Sequence, residues 1–150
     1  MDERDRRQPA VVLLACDEPG ALELLARVVT REGWRSEVAP DVDAALERAA
    51  ARLPRCVVVH LPRGGIGSAL ELVGRVRSHA DERVATAALV VVETLANREL
   101  LLAAGADVHL ERPVHVREVA GAVGAAFSIP HAPGAGAPRV EVEHPAVLDP

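Results

Sequence analysis

Short apolar runs alternate with segments of helical periodicity between residues 10 and 127. A continuous run such as Val11–Ala15 is typical of a strand that is buried on both faces. A segment such as Pro19–Arg31, in which apolar residues recur every three or four positions, is typical of an amphipathic helix. The pattern predicts strands at 11–15, 34–39, 56–60, 88–92 and 107–110, and helices at 19–31, 41–52, 68–76, 97–104 and 115–127.

This alternation predicts the fold class. Short apolar strands joined by helices of this length pair in parallel, through right-handed crossovers. We therefore expect one α/β domain over residues 10–127, with a five-stranded parallel sheet and helices on both faces. The charged segment 1–9 is predicted to be a disordered arm. Segment 128–150 is rich in proline, glycine and alanine and has no periodic pattern, so it is predicted to be a flexible tail.

Composition excludes several classes of protein. Apolar residues make up 49% of the chain and charged residues 26%, which is ordinary for a globular protein. The aromatic fraction is only 1%, so Val, Leu and Ala must build the core, and few rings are present to stack nucleic-acid bases. A net charge of -5 also disfavours a phosphate backbone as partner. We expect no nucleic-acid partner.

Neither a membrane anchor nor a disulfide framework is indicated. The longest apolar run, Ala10–Cys16, is far shorter than the about 20 residues of a membrane span. No apolar segment of signal-peptide type follows the charged N-terminus. Cys16 and Cys56 are forty positions apart and fall at opposite ends of their strands, too far apart for a bridge. We expect a cytoplasmic protein without a membrane partner.

Polar side chains follow several of the predicted strands, at the point where each strand ends. In an open parallel sheet, the functional crevice lies outside the carboxyl ends of the strands. These ends therefore predict a cluster of ionisable groups on one edge of the sheet. Its members are Cys16, Asp17, His60, Glu93, Thr94, Glu111 and Arg112.

Five local strings, in this order and spacing, resemble the receiver domain of response regulators. They are Val12–Pro19, Arg31–Trp34, Leu70–Arg77, Ala103–Asp107 and Glu111–Pro113. The resemblance covers about residues 10–127 and implies a flavodoxin-like, doubly wound sheet. It also implies a signalling role in two-component or phosphorelay pathways rather than an enzymatic one.

The family's phosphorylation site is altered at nearly every position. In the family, two acidic residues hold Mg²⁺, an Asp accepts a phosphoryl group from a histidine kinase, and a Thr or Ser and a Lys bind the phosphoryl oxygens. A further aromatic residue on the fifth strand reports phosphorylation. These positions fall here, in the same order, on Cys16 and Asp17, His60, Glu93 with Thr94 beside it, Arg112, and His109.

These replacements predict a degenerate phosphoacceptor pocket. Mg²⁺ prefers hard oxygen ligands, so we expect weak or absent Mg²⁺ binding and no cofactor. His60 cannot form an aspartyl phosphate, and Glu93 would repel a phosphoryl oxygen. The planar guanidinium of Arg112 suits a carboxylate, so we expect it to pair with Glu93 or Asp17. The sequence therefore predicts a stand-alone receiver-like module that signals through protein–protein contact, without phosphorylation.

The resemblance also implies where a partner binds. Receiver domains commonly use the face formed by the fourth helix, fifth strand and fifth helix. The expected partner is a histidine kinase, a downstream regulator or a second copy of this chain. The residues predicted on this face are Leu100, Leu101, His109, Val116 and Val119.

Two alternatives use the same site differently. Cys16, Asp17 and His60 have the residue types of a soft-metal or redox sensor. A phosphorelay receiver with an atypical acceptor, such as Asp17, is the other alternative. The three residue types also match a Cys-His-Asp catalytic set, but no oxyanion hole can be identified. We therefore expect no enzymatic activity.

Overall fold

A computed structural model of the chain describes residues 10–127. The predicted arm 1–9 and the predicted tail 128–150 lie outside the described residues. The strands are β1 (Val11–Cys16), β2 (Arg35–Ala39), β3 (Cys56–His60), β4 (Ala88–Glu93) and β5 (Val108–Glu111). The helices are α1 (Pro19–Arg31), α2 (Val42–Arg52), α3 (Gly65–Arg77), α4 (Glu82–Ala85), α5 (Arg98–Ala104) and α6 (Val116–Ala126).

The five strands form one parallel sheet in the order β2-β1-β3-β4-β5. The predicted flavodoxin-like, doubly wound sheet is confirmed. Three strands, β1, β4 and β5, end one residue later than predicted, because Cys16 still pairs with His60, and Glu93 with Glu111. Cys16, Glu93 and Glu111 of the predicted cluster are therefore fixed by the sheet itself rather than by loops.

Two apolar layers cover the two faces of the sheet. Successive strand residues point to opposite faces, so each buried strand supplies both layers. Leu13 and Val57 face the layer under α2, α3 and α5, whereas Leu14 and Val58 face the layer under α1 and α6. Valine, leucine and alanine fill both layers, as the composition predicts. No helix within residues 10–127 is long and apolar enough to cross a membrane.

An arginine holds the connections around β4 and β5 together. The guanidinium of Arg77, at the end of α3, lies 2.7 Å from the carboxylate of Asp107, and both side chains are mostly buried. The same guanidinium donates hydrogen bonds to two backbone carbonyls that precede β4 and to one that precedes β5. Those carbonyls belong to Ala85, Ala87 and Gly105, at 2.8, 2.7 and 2.9 Å.

The two aromatic residues of the chain pack against each other at the opposite end of the sheet. The rings of Trp34 and Phe127 make an edge-to-face contact with centroids 5.2 Å apart. The guanidinium of Arg55 lies 5.0 Å from the centre of the Phe127 ring and donates to the Phe127 carbonyl. This contact fixes the end of α6, far from the polar edge of the sheet.

Candidate functional site

The polar edge predicted from the sequence is present at the carboxyl ends of β1, β3, β4 and β5. Cys16 and His60 are neighbours across the sheet, and the Asp17 amide donates to the His60 carbonyl. The Arg112 amide donates to the Glu93 carbonyl and brings the residues after β5 against the end of β4. All six predicted pocket residues therefore gather at one edge: Cys16, Asp17, His60, Glu93, Thr94 and Arg112.

An ion pair between Arg112 and Glu93 occupies the centre of this edge. The Nη2 of Arg112 lies 2.7 Å from Oε1 of Glu93, which also accepts a hydrogen bond from the Thr94 amide at 2.8 Å. The Glu93 side chain is only 5% exposed, and that of Arg112 is 30% exposed. The predicted pairing of Arg112 is confirmed, with Glu93 rather than Asp17 as the partner. A buried carboxylate is thereby compensated.

Asp17 has a different role from the one the sequence suggested. Its Oδ1 accepts from the Arg63 amide at 3.2 Å, and its Oδ2 accepts from the Gly64 amide at 2.8 Å. This carboxylate therefore closes the loop that follows β3. A side chain at Gly64 would collide with Ser68, so the tight loop needs glycine there. The paired backbone amides explain why Asp17 does not turn toward Arg112.

Two histidines lie on the strands at this edge. Burial lowers the pKa of His60, although the Glu18 carboxylate acts in the opposite direction, and its Nδ1 is buried without a partner. His109 is fully buried, and its Nε2 lies 3.0 Å from the Glu93 carbonyl, to which it donates. Burial also lowers the pKa of His109. Both imidazoles are therefore held in the neutral form near pH 7.

No protein-family model matches the chain, and no curated protein matches it. Its structure is similar to that of a putative response regulator from Chloroflexus aurantiacus, with 22% identity, a TM-score of 0.72, and coverage of 81% of this chain and 99% of that one. It is also similar to the receiver domain of NtrX from Brucella abortus, with 23% identity, a TM-score of 0.66, and coverage of 78% of this chain and 98% of that one.

The chain has the fold of response-regulator receiver domains. A third similar structure is the receiver domain of the sensor histidine kinase PA1611 from Pseudomonas aeruginosa, which has a magnesium ion coordinated in its active-site cleft. It shares 18% identity and a TM-score of 0.67 with this chain, and the match covers 80% of this chain and 98% of that one.

The residues at this edge do not fit a magnesium ion of the kind found in that receiver domain. The Asp17 carboxylate is already bound to two backbone amides, and the Glu93 carboxylate to Arg112. Cys16 and His60 offer sulfur and nitrogen rather than oxygen, which Mg²⁺ disfavours. Within residues 10–127, no three His, Cys, Asp or Glu side chains are close enough together to hold any metal ion.

Both cysteines of this chain, Cys16 and Cys56, are buried in the apolar layer under α1 and α6. The Cys16 thiol donates to the Glu18 carbonyl at 3.4 Å. Burial raises the pKa of both thiols, so neither is a reactive thiolate near pH 7. Cys56 is opposite Val12, so the two cysteines are separated by about 13 Å along the strands, beyond the reach of a disulfide.

We expect the two thiols to react with a thiol reagent such as dithionitrobenzoate only as fast as the domain opens. The reason is that a reagent of this size cannot reach a thiol inside the apolar layer. The measurement is the rate of thionitrobenzoate release in buffer and at increasing denaturant concentration. Rapid reaction of one thiol in the native protein would contradict this and would favour the redox-sensor alternative.

We expect the free energy of unfolding to decrease as pH falls below about 6.5, the pKa of histidine in an unfolded chain. The pKa values of His60 and His109 are lowered in the folded state, so the unfolded state takes up protons first. The contribution of the two neutral histidines to the free energy of unfolding is complete above about pH 6.5. It is lost as the pH falls from there through their lower pKa values in the folded state. Denaturant melts at pH 7.5 and 5.5 test this, with His109→Gln expected to flatten the dependence and His115→Gln, on the surface, to leave it unchanged.

The partner face predicted by resemblance is only partly present at the surface. Leu101, His109 and Val119 are buried in the core, because one side of α5 and of α6 packs on the sheet and β5 is covered. These three residues were therefore wrongly predicted as contact residues. Leu100 is 56% exposed, and Val116 is half-buried. The exposed large apolar residues in this region are Leu100, which was predicted on this face, and Leu95, which the sequence analysis did not identify.

Proposed function

We propose that this chain is a receiver-type signalling module of two-component pathways that acts by protein–protein contact and accepts no phosphoryl group. The observation that carries the proposal is the Arg112–Glu93 ion pair. It joins the two positions that, by resemblance, would bind the phosphoryl oxygens. With Glu93 present and Arg112 already engaged, an incoming phosphoryl group would meet a buried carboxylate instead of a hydroxyl and a free cation.

The acceptor position supports the same conclusion. His60 stands where the family has its phosphorylated Asp, and within residues 10–127 no carboxylate is hydrogen-bonded to its side chain. Asp17 is the other residue that could accept a phosphoryl group. Both of its carboxylate oxygens already accept hydrogen bonds, from the amides of Arg63 and Gly64. Phosphorylation of Asp17 would break these two hydrogen bonds and open the loop after β3. We therefore favour a non-phosphorylated module over a receiver with an atypical acceptor.

A receiver without phosphorylation needs another source of conformational bias. A two-state protein shifts only when a ligand binds one state better than the other. Here the guanidinium of Arg112 bridges the ends of β5 and β4 by pairing with Glu93, and the His109 side chain donates to the Glu93 carbonyl. These contacts stabilise one arrangement of the edge, so the output surface is presented constantly.

The proposed partner is a protein. Leu95 and Leu100, both exposed in the segment after β4, provide apolar contacts of the kind found at interface centres. A kinase, a regulator or a second copy of this chain could supply the complementary surface. We further propose that the chain acts in the cytoplasm, a reducing compartment in which its two free, buried cysteines stay reduced.

The experiment is an amide NMR titration of the protein with Mg²⁺ followed by beryllofluoride, a mimic of the phosphoryl group. We expect the amide resonances of Asp17, His60 and Thr94 to stay within experimental error at millimolar Mg²⁺. Saturable shifts confined to these residues would show that the edge still binds metal and phosphoryl oxygens. Such shifts would refute the proposed lack of phosphorylation.

A further inference from the structure

A groove of about 590 Å³ opens beside the polar edge, between α1 and the segment that leads from β5 into α6. Its volume falls within the range of pockets that hold small organic molecules. Leu24 and Leu25 form one wall, and Val116 and Val119 form the other. Leu24 is 50% exposed, so a large apolar side chain faces the groove with little protein to cover it.

One end of the groove is rich in hydrogen-bond donors. Arg112 uses Nη2 for Glu93, whereas its Nε–H is buried and has no partner among the described residues; the side chain as a whole is 30% exposed. The Thr94 hydroxyl accepts a hydrogen bond from Asn97 and keeps its own hydrogen to donate. His60, which also lines this end, is held neutral by burial, which lowers its pKa, and its Nδ1 is buried without a partner among the described residues. A group that only accepts hydrogen bonds is the best complement to this set.

The start of α1 adds a fixed positive potential at the same end. Glu18, which precedes the helix, makes no side-chain cap, and the first turn contains no acidic residue. The first amides of a helix carry about half a positive charge, which favours an anion. Both Glu18 and Ala21 line the groove, so this helix end lies at its mouth. The charge of Arg112 is already shared with Glu93, so the unpartnered Nε–H and the free amides at the start of α1 together favour a carboxylate over a neutral acceptor.

We propose that the groove binds a small organic molecule with an apolar body and one carboxylate. The body lies between Leu24 and Val116, and the carboxylate accepts hydrogen bonds from Arg112 and Thr94. This binding site lies beyond the proposed lack of phosphorylation and does not depend on it. The NMR titration with beryllofluoride concerns the acceptor position, whereas the tests below concern the groove, so either proposal can fail alone.

One charge at the mouth opposes the proposed ligand and provides a sharp test. The Glu18 carboxylate is exposed and unpaired with any cation among the described residues. It repels a bound carboxylate through water-screened Coulomb interaction and attracts an ammonium group to the same extent. Removing this charge must therefore change the affinities for anionic and cationic ligands in opposite directions.

The first experiment is calorimetric titration of the full chain with decanoate and with decylammonium, two probes that share one apolar chain and differ in the charge of the head group. We expect decanoate to bind at least about tenfold more tightly. Amide shifts on decanoate binding should map to Leu24, Thr94 and Val116. Absence of decanoate binding at millimolar concentration, or tighter binding of decylammonium, overturns the proposal.

Matched variants locate the binding. Leu24→Glu places a second carboxylate in the groove and should weaken decanoate by about tenfold or more, whereas Leu100→Glu, equally exposed outside the groove, should not change it. Glu18→Gln should increase the affinity for decanoate by about threefold and decrease the affinity for decylammonium. Glu23→Gln, on α1 but outside the groove, should leave both affinities unchanged. Equal effects of Leu24→Glu and Leu100→Glu, or looser decanoate binding to Glu18→Gln, overturn the proposal.

Discussion

Replacing Arg77 by alanine is expected to lower the free energy of unfolding by about 3 kcal/mol. The guanidinium donates to three backbone carbonyls and to the Asp107 carboxylate, which in turn accepts from the Leu89 amide at 2.8 Å. Its removal takes one donor from each of these four acceptors and leaves the mostly buried Asp107 carboxylate with the Leu89 amide but without its charged partner. Loss of one partner of a buried pair typically costs about 3–5 kcal/mol, and the partial exposure of Arg77 places it at the lower end.

Arg75, two residues earlier on α3, provides a matched control. It pairs with Asp43 and Glu71, but all three side chains are exposed, so Arg75→Ala should change the free energy of unfolding by less than about 0.5 kcal/mol. Arg77→Lys should fall between the two alanine variants, because a lysine keeps the charge but cannot satisfy four acceptors. Denaturant melts measure all three. Equal losses for Arg75→Ala and Arg77→Ala would show that the buried contacts of Arg77 add nothing.

Replacing Arg112 by alanine is expected to have the second large effect, a loss of about 3 kcal/mol in the free energy of unfolding. The substitution leaves the Glu93 carboxylate buried with only the Thr94 amide as donor. The Arg112→Ala, Glu93→Ala double variant should recover part of this loss, because no charge then remains buried. We expect a coupling energy of more than about 1 kcal/mol between the two positions.

Arg63 is the control at the same edge of the sheet. It lies in the loop after β3, and its side chain makes no ion pair among residues 10–127, so Arg63→Ala should change stability by less than about 0.5 kcal/mol. The measurement is again a set of denaturant melts, analysed as a double-mutant cycle. If the losses from Arg112→Ala and Glu93→Ala simply add, the two residues are not coupled and the fixed-network interpretation fails.

The sheet could be predicted from the sequence because a strand that is buried on both faces is a continuous apolar run. The runs Val11–Cys16, Cys56–His60 and Ala88–Glu93 are continuously apolar up to their last residues, and parallel pairing follows from the helices between them. The short helix α4 was not predicted. Its four residues are too few for a periodic pattern, and it begins where the Asp81 side chain accepts from the Arg83 amide.

The sequence predicted which residues form the site better than it predicted how they pair with one another. That strand ends converge is a rule of parallel sheets, so Glu93 and Arg112 could be placed together. The choice of Glu93 over Asp17 as partner depends on the loop amides that bind Asp17, which no sequence pattern reveals. The Arg77–Asp107 pair spans thirty residues and was missed for the same reason.

The predicted partner face shows a further limit. Leu100 and Leu101 are adjacent and chemically identical, yet one is exposed and the other fully buried. Resemblance to a family indicates which elements form a surface, whereas the rotation of each helix decides which side chains reach it. For α5, only seven residues long, the sequence pattern was too short to fix that rotation.

Mass spectrometry after incubation with acetyl phosphate and Mg²⁺ tests the proposed function most directly. A variant carrying Cys16→Asp, His60→Asp, Glu93→Thr and Arg112→Lys, which restores the family's pattern, serves as the positive control once circular dichroism shows that it is folded. We expect the restored variant to gain the mass of one phosphoryl group, removable by hydroxylamine, and the natural chain to gain none. A stoichiometric, hydroxylamine-sensitive mass gain on the natural chain would contradict the proposal that it signals without phosphorylation.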